Sequence, residues 1–88
     1  MPVKQITPES RAICLRFVRA YEELRYRGVV KTKAEFAKEV GIRISSNLKR
    51  METNPNYEPT LNSLYLLLSK FSVNPEWLFF GKGEFLEK

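Results

Sequence analysis

The residues best suited to chemistry lie in one short run, Arg43-Ile44-Ser45-Ser46-Asn47-Leu48-Lys49-Arg50-Met51-Glu52. From Arg43 to Arg50 it carries three positive charges and no negative one. Ser, Asn, Lys and Arg are the side chains that hydrogen-bond to nucleic-acid phosphates and base edges. Within Ser45 to Glu52 only Leu48 and Met51 are apolar, and they stand three apart. A helix with one narrow apolar stripe can be anchored on that side and enter a duplex groove with the rest. Arg43, Ser45, Ser46, Asn47, Lys49 and Arg50 are therefore the candidate contacts, with Leu48 and Met51 as core residues.

Other chemistries find little support. There is no histidine and one cysteine, Cys14, so an internal disulfide and a thiolate metal site are excluded. Cys14 falls on an apolar stripe and is expected to be a small buried hydrophobe. No glycine-rich phosphate loop, paired carboxylates or activated nucleophile is visible. Neither catalysis, a metal nor a cofactor is expected. The longest apolar run, Leu64 to Leu68, is too short to span a bilayer, and the start has no signal-like stretch. A reducing, cytoplasmic setting fits this inventory.

Charge is unevenly distributed. Residues 1–50 carry twelve Lys and Arg against five Glu, whereas residues 51–88 carry three Lys against five Glu. Concentrating positive charge in one half suits a surface that meets a polyanion. With 88 residues and 43% hydrophobic content, the chain is expected to form a single domain over 1–88.

The candidate residues are carried on a chain whose segments read as helices. Thr7-Pro8-Glu9 is a cap, proline and acid start, followed by Ile13, Phe17, Tyr21 and Leu24 at helical spacing. Arg11, Arg16, Arg19, Arg25 and Arg27 fill the remaining faces as solvated residues, and Gly28 ends the helix. Thr32-Lys33-Ala34-Glu35 is a capping box for a second, short helix with Phe36, Ala37 and Val40 inward and Gly41 as its stop. A third begins near Ser45 or Ser46 and runs to about Thr53, with Ser45 a candidate cap. Residues 54–59 read as a loop. Thr60 caps a fourth helix expected to bury Leu61, Leu64, Tyr65, Leu68 and Phe71. Asn74-Pro75-Glu76 starts a short fifth helix ending at Gly81, and residues 82–88 are expected to be an irregular tail.

Two short helices joined by a glycine-containing turn, about residues 32–53, are the sign of a helix-turn-helix. These residues, with Pro59-Thr60-Leu61, Asn74-Pro75-Glu76-Trp77-Leu78 and Gly81-Lys82-Gly83-Glu84, resemble the phage Cro/C1-repressor family, also called the XRE family. The resemblance covers about residues 10–85 and rests on Glu35-Phe36-Ala37, Gly41-Ile42, Leu48 and Met51-Glu52 in combination. It implies an all-α, five-helix, lambda-repressor-like domain that binds double-stranded DNA as a dimer and regulates transcription, here as a repressor. By position it implies phosphate contact at Thr32 and Lys33, the start of the recognition helix at Ser45, Ser46 and Asn47, and its exposed middle at Lys49 and Arg50.

Two departures stand out. Leu48 lies seven positions after Gly41, one more than in the family, so the turn is expected to hold an extra residue within Arg43-Ile44. Ser45 and Ser46 stand where members often carry Gln. Trp77 to Phe80 are consecutive large apolar residues that cannot all face inward, and Leu66 has the same problem. Leu66, Trp77, Phe79 and Phe80 are accordingly the candidate homodimer surface. The alternative is a protein-interaction module, or an antitoxin with a protein partner, built on the same fold.

Overall fold

Among the described residues, four of the five helix starts are set by side chains that accept from otherwise unpaired first-turn amides. In the computed structural model, which describes residues 7–54 and 56–87, Thr7, Thr32 and Thr60 each accept from the amide three residues on, at 3.1 Å. Asn74 does the same for Glu76 at 3.1 Å. The helices are α1 (Pro8–Tyr26), α2 (Lys33–Glu39), α3 (Asn47–Thr53), α4 (Leu61–Phe71) and α5 (Pro75–Phe80), of which α3 alone lacks such a cap. Residues 1–6, Pro55 of the expected 54–59 loop and Lys88 lie outside the described residues. Glu35 reaches back as a capping box should, but its carboxylate accepts from the amide of Lys31, at 2.9 Å, instead of Thr32.

The core forms around α1. Phe36 of α2 is fully buried and joins three elements, with ring centroids 5.7 Å from Phe17, 5.3 Å from Tyr21 and 6.0 Å from Phe71. The inner end of α2 is tied to α4 by the buried Ser63 hydroxyl, which donates to the carbonyl of Val40 at 2.7 Å.

That bond accompanies a correction to α4. The buried residues of this helix are Ser63 and Leu67, while Leu61 and Tyr65, expected inside, are 85% and 66% exposed. The helix is rotated by about 100°, one residue, from the orientation its apolar spacing suggested. Five of its residues from 64 to 68 are apolar, so hydrophobicity alone defines no single inner face. The serine hydroxyl facing a free carbonyl fits the observed orientation.

The segment after α5 is also more ordered than expected. It contains no helix, yet Val73 and Leu86 form an antiparallel bridge, with backbone bonds of 2.8 Å from Asn74 to Phe85 and from Glu87 to Ser72. Phe85 is buried and meets the Trp77 ring edge-on at 4.7 Å. The Arg27 guanidinium lies 5.5 Å from the Phe85 ring centre. An aromatic anchor and two backbone bonds thus fix what composition alone marks as irregular.

Candidate nucleic-acid interface

The backbone leads into α3 through a tight turn. The amides of Asn47, Leu48 and Lys49 bond three residues back to Ile44, Ser45 and Ser46, at 3.0, 3.1 and 3.1 Å. Ser46 stands at the N-cap position with helical φ −63° and ψ −14°, and its side chain caps nothing. Ser45 likewise makes no side-chain bond among the described residues, so the expected capping role is not used. Residues 40–46 separate α2 from α3.

Leu48 and Met51 are buried and seat α3 against α1. The opposite face carries Ser46, Lys49, Arg50 and Thr53, all exposed. These four follow the i, i+3, i+4, i+7 rule and therefore share one side of the rod. Arg43 is exposed on the preceding turn, and Thr32 and Lys33 are exposed at the start of α2. Asn47 is the exception. It is half-buried, its Oδ1 is enclosed without a hydrogen-bond partner, and it lines a hollow with Met51, Tyr57 and Ser63. About 100° round the helix from Ser46, it falls on the flank of Met51 and is removed from the outward face.

The far end of α3 is held by a residue expected on the solvated face of α1. Arg11 donates through Nη1 to the carbonyls of Met51, at 2.6 Å, and Asn54, at 3.2 Å, and through Nη2 to Glu52, at 2.7 Å. A cation at a helix C-terminus also meets the negative end of the helix dipole. Arg16 grips α5 in the same way, donating to Leu78 at 2.7 Å and Phe79 at 2.9 Å. No sequence signal distinguishes these two arginines from Arg19, because the carbonyls they satisfy belong to helices 40 and 62 residues away. Cys14, fully buried as expected, donates to the carbonyls of Met51 and Tyr57 at 3.4 and 3.2 Å. Burial raises its thiol pKa above the ordinary range, and the nearby Arg11 guanidinium only partly opposes this.

A depression of about 550 Å³ opens between the C-terminal part of α1, the start of α2 and α3. Lys33 and Lys49, expected as separate contacts, line it together. Among the apolar residues expected to face a second copy, only Phe80 is largely exposed, at 71%. Trp77 is half-buried against Phe85, Phe79 is half-buried, and Leu66 is half-buried beside Gly41.

Among the described residues no three His, Cys, Asp or Glu are grouped to hold a metal, and no helix is long and apolar enough to cross a membrane. The chain matches no protein-family model, no curated protein and no solved structure.

Proposed function

We propose that this chain is a double-stranded DNA-binding domain of the Cro/C1-repressor type, acting as a transcriptional repressor and working as a homodimer. The observation that carries the reading is the outward face of α3, where Ser46, Lys49 and Arg50 are exposed while Leu48 and Met51 are buried against α1. A rod so mounted can enter the major groove, with α2 bracing across the backbone through Thr32 and Lys33. Lys and Arg supply affinity through phosphates, and the α3 side chains supply preference for sequence. Arg43 extends the positive surface along the turn, and Ser45 borders it. Asn47, enclosed as it is, contributes to packing rather than to base reading.

The test is a gel shift with random-sequence duplex at low salt, followed by selection of bound sequences from a random pool. With about three to five phosphates neutralised per protomer, log K falls with log[salt] at a slope of about −3 to −5. Dimer half-sites are expected about 34 Å apart, one turn of the duplex. Arg50→Ala is expected to cost about 1–3 kcal/mol and relax preference at one base pair. Unchanged binding and preference in that variant would remove Arg50 from the interface.

A second reading, a protein-binding module or an antitoxin, draws on the exposed Leu61 and Tyr65 of α4. An absence of any shift with duplex DNA would favour it.

A further inference from the structure

The hollow beside α3 has a feature that the helix-turn-helix reading does not use. Besides Lys33 and Lys49 it is lined by Arg25 and Tyr26, from the last turn of α1. Arg25 is exposed, and Tyr26 is 89% exposed. The Arg25 guanidinium is not loose: its Nη1 donates to the Tyr21 hydroxyl at 3.2 Å, and the Tyr21 ring is buried against Phe36. Glu22 and Glu52 line the same hollow, but no ion pair joins either of them to Arg25, Lys33 or Lys49. Three cations on three different helices therefore line one concavity with no direct ion pair to either glutamate among the described residues. A concavity walled by protein focuses the field of such charges, and a guanidinium steadied by a neighbour loses less freedom on binding. The phenol of Tyr26 adds a hydroxyl donor at the rim.

We infer that this hollow seats a backbone phosphate of duplex DNA, so that Arg25 and Tyr26 extend the interface beyond the helix-turn-helix, with Tyr21 positioning Arg25. The inference rests on the proposed function, because it takes α3 to be the element in the groove. Lys49 belongs both to the outward face of α3 and to the wall of the hollow, which places a phosphate bound there directly at the groove edge. Such a contact is blind to sequence. The two glutamates oppose it, which makes the site testable in both directions.

The experiment measures binding of the full chain to random-sequence and selected duplexes over a range of salt, for wild type, Arg25→Gln, Tyr21→Phe and Glu52→Gln. Arg25 and Glu52 are exposed, and Tyr21→Phe keeps the buried ring; thermal unfolding checks that each variant folds. Arg25→Gln is expected to weaken both duplexes equally, about fivefold near 0.1 M salt, and to reduce the salt slope by about 0.9. Tyr21→Phe is expected to weaken binding about twofold with the slope nearly unchanged, which a purely structural role of the hydroxyl would not produce. Glu52→Gln is expected to tighten binding. If wild type binds and Arg25→Gln retains its affinity and slope, the phosphate seat is overturned while the groove reading stands. If wild type binds no duplex, both fall together.

Discussion

Truncating Arg11 to alanine removes three hydrogen bonds at once from the C-terminal end of α3, those to Met51, Glu52 and Asn54. It leaves their carbonyls, which sit where a helix has no internal partners, to find water or remain unpaired. A net hydrogen bond from a charged donor contributes about 1.5–3 kcal/mol when well buried, and a cation at a helix C-terminus about 0.3–1 kcal/mol. Arg11 is only half-buried, and three bonds from one guanidinium are not additive, so the lower end of that scale applies. The expected loss is about 2–3 kcal/mol, which for a chain of this size lowers the melting temperature by roughly 10–20 °C. Urea titration and thermal unfolding of Arg11→Ala read the loss directly. Arg11→Lys, which keeps the charge without the planar fork, is expected to recover about half. Amide exchange should accelerate in α3 more than in α4, since only α3 loses its clamp. A loss below about 0.5 kcal/mol, or equal acceleration in both helices, would refute the view that Arg11 fixes α3 on α1.

Other perturbations have equally definite outcomes. Gly41→Ala places a Cβ at φ +74°, 3.1 Å from Asn62 Nδ2 and 3.3 Å from Leu66 Cδ1, whereas Gly28→Ala, at φ +77°, meets nothing within 4 Å. The left-handed backbone costs each about 1–2 kcal/mol, so urea titration should find Gly41→Ala the worse of the two, and equal losses would discount the steric part. Burial raises the Cys14 thiol, so the folded state resists ionisation that the unfolded chain undergoes. Stability from this group is fully present below the ordinary thiol value of about 8.5 and is lost as pH rises through the raised value in the folded chain. Denaturation of wild type against Cys14→Ala from neutral to alkaline pH should show that extra decline in wild type alone, with iodoacetamide reacting slowly until the chain unfolds; rapid alkylation of the folded protein would contradict the burial.

Much of the helical plan was legible from local chemistry. Thr7, Thr32, Thr60 and Asn74 announce helix starts because a capping bond spans only two or three residues. Gly28, Gly41 and Gly81 announce stops because a positive φ is a local demand. Leu48 and Met51 could be placed inside, and Ser46, Lys49 and Arg50 outside, because so short a stripe leaves no second choice. Of the contacts expected on this segment, Arg43, Ser46, Lys49 and Arg50 are exposed, whereas Ser45 and Asn47 are half-buried.

Where the chain had several ways to bury itself, residue types could not choose among them. On α4 an excess of apolar positions left the rotation open, and the inner side observed is the one where Ser63 reaches the carbonyl of Val40. Asn47 resembled a groove residue in composition, yet the hollow against Met51 and Tyr57 enclosed it. Arg11 and Arg16 read as solvent-facing charges until the ends of α3 and α5 arrived beside them. Residue order settles where α1, α2 and α5 begin and end and where α4 begins, because those depend on bonds between near neighbours, and the spacing of Leu48 and Met51 settles which side of α3 is apolar. How α3 is clamped, which arginine holds which helix, how α4 is turned and which cations meet are fixed by the folded chain, because groups far apart along it compete for the same unpaired carbonyls and the same space.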